Sequence, residues 1–330
     1  MGTVLRMTKL KEIALLAAFL FVSALPAPVF AGNTTSEQSS SNAATTVSST
    51  VTNIIVARSA PGGGGGGGGE LTSLTSPTGM SAGDNAQGIG VWAVGGATFL
   101  DHSKPGTKYN GNLGISMVGV DKLFGSLLLG VGLGYERLDL STPYNGGGIA
   151  YDGFSIIPYL SYSITPDLVA DASLIFAWLD YTMKDTEAGV KYRDHMPADR
   201  RVVSAGLTQY LSFDKLLLSG RLGTMYMNEH QGAYVLNTTA NSKSGIYNWQ
   251  GAASVRGTYD MGVFKPFLGT TFTRDLMKSG KPSNDDWGSD YELGFTYNFT
   301  DTFQMGLTGT YGFRENLTKG GALLNVRYDF

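Results

Sequence analysis

Few residues in this chain are able to do acid–base or nucleophilic chemistry. It has 330 residues, three histidines (His102, His195 and His230) and no cysteine. The lack of cysteine excludes a disulfide scaffold, a thiolate metal site and a cysteine nucleophile. The densest polar cluster is "RDHMPADRR", with Asp194, His195, Asp199 and Arg200. A triad there would need a serine held against the imidazole and an acid behind it. Nothing in the spacing fixes a serine beside His195. "SNDDW" offers Asp285 and Asp286 to a divalent cation, but a hard-cation cage needs about six oxygens in defined places. "GVGLG" at 130–134 and "NGGG" at 145–148 do not lie between a strand and a helix, as a dinucleotide fingerprint requires. The reading is no catalytic residue, no metal site and no cofactor, with these clusters serving as solvated loop charge.

Composition points away from an enzyme core and toward a wall. Only 15% of residues are charged, the net charge is -3, and there are 46 glycines, 17 tyrosines and 16 phenylalanines. The balance gives no nucleic-acid footprint. The N-terminus carries Arg6, Lys9 and Lys11, an apolar run over about residues 13–25, and small residues ending at Ala31. That pattern is a secretory signal peptide, with cleavage expected after Ala31. Residues 1–31 are therefore read as the export signal, with the Sec machinery as partner.

Residues 32–87 read as a flexible segment rich in Ser, Thr and Gly. It includes an unbroken glycine run at 62–69, which has no preferred conformation. A short helix is expected at about 46–59, around Ile54, Ile55 and Val56.

From residue 88 to 330 the pattern changes to alternation with period 2, the mark of strands with two unlike faces. In "LLLGVGLGYER" one face holds Leu127, Leu129, Val131, Leu133 and Tyr135. The opposite face holds Leu128, Gly130, Gly132, Gly134 and Glu136. Twelve such segments fall near 88–100, 109–122, 127–139, 150–164, 168–182, 199–213, 215–229, 245–260, 263–275, 288–300, 302–314 and 318–330. Long connections alternate with tight turns, and "KDTEAGVKYRDHMPA" is read as one of the long loops. Even strand number, long–short rhythm and strands of about 9–11 residues or more are the properties of an outer-membrane barrel. The fold class expected is all-β: a transmembrane, up-and-down, antiparallel β-barrel of 12 strands.

In such a barrel the apolar faces meet lipid and the other faces line a polar interior. Tyr135, Tyr162, Trp178, Tyr226, Tyr259, Phe299 and Phe313 end the apolar faces, as aromatic residues do at a lipid–water boundary. Gly, Ser, Thr and isolated charges fill the other faces. Glu136, Asp171, Arg221, Arg256, Glu292, Arg314 and Arg327 are expected in the lumen. They either pair there or bias an aqueous path. In the terminal "ALLNVRYDF", Leu324, Val326, Tyr328 and Phe330 share the lipid face. That strand is expected to close the barrel against the first, near Trp92.

Several pieces in order resemble the β-domain of autotransporters. They are Trp92 in the first strand, "YNGN" at 109–112, "VGVD" at 118–121, "LLLGVGLGYE" at 127–136 and the terminal "LLNVRYDF". The resemblance covers about residues 88–330. It implies a monomeric Gram-negative outer-membrane barrel with a helix in its pore. It also implies a passenger carried to the cell surface, and a C-terminal signal, Leu324, Val326, Tyr328 and Phe330, that the barrel-assembly machinery reads. Here the segment before the barrel is far shorter than a passenger of hundreds of residues. Passenger activities such as adhesion or proteolysis therefore do not carry over. The expected function is a translocator barrel that passes or displays its own short N-terminal segment. A small passive channel or structural barrel is the alternative, and a barrel enzyme is the third reading.

Overall fold

The structure is a computed structural model, described here for residues 34–56, 88–143, 146–187, 189–236, 239–279 and 286–330. The export signal, its cleavage site at Ala31, the glycine run and Asp285 lie outside the described residues.

Among the described residues one helix, α1 (Thr34–Val56), precedes the strands. It begins earlier than the expected 46–59, and residues 57–59 lie outside the described residues. The strands are β1 (Ile89–His102), β2 (Tyr109–Phe124), β3 (Leu127–Thr142), β4 (Gly147–Thr165), β5 (Leu168–Glu187), β6 (Val190–Phe213), β7 (Leu216–Gln231), β8 (Tyr234–Leu236), β9 (Thr239–Asn241), β10 (Ser244–Tyr259), β11 (Phe264–Lys278), β12 (Trp287–Asn298), β13 (Phe303–Arg314) and β14 (Leu317–Asp329). Twelve of them close in the order β1-β14-β13-β12-β11-β10-β7-β6-β5-β4-β3-β2, and β8 and β9 form a separate hairpin. Every neighbouring pair is antiparallel, including the closing pair, which runs from Gly90↔Asp329 to His102↔Leu317. Closure leaves no open sheet edge, which hydrocarbon would not tolerate.

Five tight turns, after β2, β4, β6, β10 and β12, gather at the end where β1 starts and β14 finishes. Left-handed backbone makes three of them possible, at Gly125 (φ 62), Asp214 (φ 51) and Gly262 (φ 83). The wall's outer face is apolar: Leu222 is 69% exposed, Leu293 66% and Leu268 63%. Side chains of this kind and exposure repeated around a closed sheet face lipid.

One connection departs from the sequence expectation. The long loop expected after β5 is a β-ribbon, because β5 and β6 stay paired up to Glu187↔Val190. A two-stranded ribbon above the lipid needs no apolar face, so the alternation that reveals the other strands is missing there. His195 thus sits in a strand. His102 closes β1 and is buried, its ring stacked 4.8 Å from that of Tyr109.

Candidate functional site: the lumen and its helix

α1 is rich in Ser, Thr and Asn, residues of modest helix propensity. A helix of this kind owes its stability to packing. Its apolar residues Ala43, Ala44, Val47, Val51, Ile54 and Ile55 fall on one stripe, and all are buried. Thr46 Oγ1 donates to Asn42 O at 2.9 Å and Thr50 Oγ1 to Thr46 O at 2.8 Å. These bonds satisfy hydroxyls within the helix, so polar residues can be enclosed without dedicated wall partners.

The wall around α1 is two-sided. Val47, Ser48 and Val51 meet Ile115, Met117, Ile175 and Val202, and the cavity left there is only about 10 Å³. On the opposite side Ser49, Thr50 and Asn53 face Arg256, Thr271, Glu292, Thr308 and Asn325 across a cavity of about 120 Å³. The helix therefore leans on an apolar inner surface and leaves polar space on the other side. The expectation of a uniformly polar interior is corrected here. In β4 and β5 apolar residues alternate with apolar residues: Ile156 and Phe176 are exposed while Ile157 and Ile175 are buried. Period-2 reasoning has no contrast to detect in such a strand.

The charges expected in the lumen are each drawn into a pair. Arg221 meets Asp171 at 2.7 Å. Arg256 meets Glu292 at 2.5 Å and stacks over Phe267. Glu136 pairs with Arg200 at 3.1 Å, and the same guanidinium reaches Glu229 at 2.7 Å. Tyr181 donates to Glu229 at 2.9 Å and Tyr151 to Glu136 at 3.3 Å, completing a cluster buried among apolar residues. Arg314 meets Asp275 at 2.7 Å and Lys319 meets Asp290 at 2.9 Å.

Arg327 forms the most enclosed pair. Its guanidinium reaches Asp121 at 2.8 Å and Asp329 at 2.7 Å, with Arg327 and Asp121 fully covered. Because Arg327 lies on β14 and Asp121 on β2, the bond crosses over β1. It passes at Gly90, where a Cβ would stand 2.0 Å from Arg327 Nη2. Asp121 also accepts from Tyr159 OH at 2.8 Å, which in turn accepts from Trp92 Nε1 at 2.8 Å. The indole lies over Gly119, where a Cβ would meet it at 2.3 Å. The inward glycines thus make room for large side chains lying flat across neighbouring strands.

Sequence reasoning missed Arg200, Glu229, Asp121 and Asp275. Arg200 is not loop charge: it shares strand parity with buried Val202 and Ser204. The "RDHMPADRR" residues do not converge. His195 stands 3.7 Å from Asp180 and His230 3.7 Å from Asp199, both on the outer wall. Asp194 instead accepts from the backbone of Val235 and His195, which holds its carboxyl below the usual range. Asp286 pairs with Lys278 at 2.8 Å. Among the described residues no three His, Cys, Asp or Glu side chains are grouped to hold a metal. On β14, Leu324, Tyr328 and Phe330 are exposed and Val326 half-buried on the outer wall, with the Tyr328 and Phe330 rings edge to face at 4.9 Å.

A family model described as the autotransporter beta-domain matches residues 91–323. The chain belongs to the autotransporter beta-domain family. Solved autotransporter barrels share its fold. The translocator domain of NalP from Neisseria meningitidis superposes with a TM-score of 0.67 at 13% identity, covering 75% of this chain and 90% of that one. The β-domain of the Bordetella autotransporter BrkA gives 0.64 at 14% identity, covering 73% and 99%. The transport unit of AIDA-I from Escherichia coli gives 0.57 at 16% identity, covering 86% and 98%. Among curated protein sequences, no relative matches. This autotransporter barrel is accordingly a translocator domain of the Gram-negative outer membrane. Its family is one of transport domains rather than enzymes, and membership implies insertion by the barrel-assembly machinery.

Proposed function

We propose that the barrel passes the leading end of its own N-terminal segment, residues 32–87 after cleavage at Ala31, through its lumen to the cell surface. In this reading α1 stays behind as the plug, no catalysis is involved, and the barrel works as a monomer. The observation that carries it is the polarity of α1 in the pore. Ser41, Asn42 and Thr45 lie beside Asn248, Asp275, Lys278 and Leu317, near the long-loop rim. Asn53 and Ile54 lie deeper, beside Arg256, Leu323 and Asn325. With short turns in the periplasm and long loops outside, the helix start points to the cell surface. The apolar inner wall holds the helix in place, and the polar side leaves a passage for hydrated groups.

The test places an epitope between Asn33 and Thr34 in the full chain. Intact cells should bind the antibody, and protease added outside should remove the epitope. Labelling only after the outer membrane is breached would overturn the reading. The passive-channel reading draws on the cavity of about 120 Å³ beside the helix. It predicts equal planar-bilayer conductance with and without residues 32–87, whereas a plug predicts a rise on deletion.

The C-terminal signal Leu324, Val326, Tyr328 and Phe330 is proposed on the same footing. Removing Phe330 should reduce the amount of heat-modifiable barrel in the outer membrane, and unchanged assembly would reject it.

A further inference from the structure

The outer face of the β5–β6 ribbon changes character with height. At lipid level it carries Phe176 opposite Arg201 and Trp178 opposite Asp199. Asp180 opposite Pro197 and Thr182 opposite His195 follow, then Lys184 opposite Arg193 and Thr186 opposite Lys191. The lower acids have basic neighbours: Asp199 lies 3.3 Å from Arg201, and Asp180 3.7 Å from His195. The upper three cations, Lys184, Arg193 and Lys191, are exposed and make no ion pair among the described residues. Like charges directly opposite in a ladder destabilise it, so Lys184 and Arg193 carry a repulsion that no ion pair among the described residues relieves. The ribbon's inner side, by contrast, is covered: Met183 and Met196 are buried, and β8 docks through Val235 N–H to Asp194.

We propose that this bare cationic face binds the phosphorylated saccharide headgroup of an outer-leaflet glycolipid. The face continues the lipid-facing wall and looks sideways over the membrane. Lys184 is six residues above Trp178. At a rise of about 3.4 Å per residue and a strand tilt of about 40°, the cations stand roughly 15 Å above the aromatic level. That is above the glycerol phosphates of an ordinary phospholipid and within the sugar layer of a phosphorylated glycolipid. Anions there would relieve the Lys184–Arg193 repulsion and tether the ribbon over the bilayer. The proposal does not depend on whether the N-terminal segment is displayed.

The test uses the purified full chain in detergent, with rough-type lipopolysaccharide and the same material stripped of phosphate as probes. Phosphorylated glycolipid should bind and protect the ribbon from trypsin, and stripped glycolipid should do neither. Each cation near an anionic surface contributes roughly fivefold, so K184Q/K191Q/R193Q should weaken binding on the order of a hundredfold. Lys108→Gln, in the loop after β1, should leave it unchanged. Heat-modifiability checks that each variant is folded. If the triple variant fails that check, Arg193→Gln alone should still lose about fivefold. Equal binding of stripped glycolipid, a folded triple variant within about threefold of wild type, or full competition by inorganic polyphosphate would each overturn the proposal.

Discussion

On the β2–β7 side the lumen wall meets α1 with Ile115, Met117, Ile175 and Val202, and it holds its charge in enclosed groups, the cluster around Arg200 and the Arg221–Asp171 pair. On the β10–β14 side it meets α1 with Thr, Asn and ion pairs that remain partly exposed, such as Lys319–Asp290 at 20% and 25%. The first side behaves like a protein core and the second like a hydrated channel. An enclosed ion pair is costly to break, because the surviving charge has no water to turn to. A partly exposed pair is screened and contributes little. The wall therefore grips the helix on one side and stays soft on the other.

This difference is open to direct attack. Arg200→Met leaves Glu136 and Glu229 without their counter-charge and should destabilise the barrel by about 3–5 kcal/mol in denaturant unfolding. Val51→Asn places an amide against the apolar wall at a cost of about 1–3 kcal/mol. It should loosen the plug, visible as a higher open probability in planar bilayers. Thr50→Asn, one residue earlier and facing the polar cavity, should leave conductance near that of wild type. Lys319→Met, in the soft half, should change stability by no more than about 1 kcal/mol. Equal losses for Arg200→Met and Lys319→Met would erase the distinction between the two sides.

The barrel was readable in the sequence wherever lipid supplied the contrast. β12 and β13 alternate cleanly because their inward residues are Gly, Thr, Asn, Gln and charged groups such as Asp290, Glu292 and Arg314. The upper β5–β6 ribbon was unreadable because water bathes it and no apolar face is needed. The apolar inner wall was unreadable for the opposite reason, since lipid outside and helix inside select the same residue types. Arg221–Asp171 and Arg256–Glu292 were legible as charges on an inward parity. Their pairing depended on strand stagger, which alternation does not encode. The start of α1 was missed because its first turns are mostly Thr and Ser, residues of modest helix propensity with no apolar stripe to mark them.

The bond from Arg327 to Asp121 joins residues 206 positions apart. In a ladder otherwise made of sequence neighbours, it forms only after the whole sheet has curled round. The β1–β14 ladder itself, up to Gly90↔Asp329, closes a still longer segment, and the entropic cost of such closure grows only slowly with length. The clasp over Gly90 would therefore be the last side-chain contact made during insertion and the first lost when the cylinder opens. Most of the resistance to opening would then sit at a single stave joint, so that barrel lifetime is governed by an unzipping rate at β1 and β14 more than by the sum of its strand pairings.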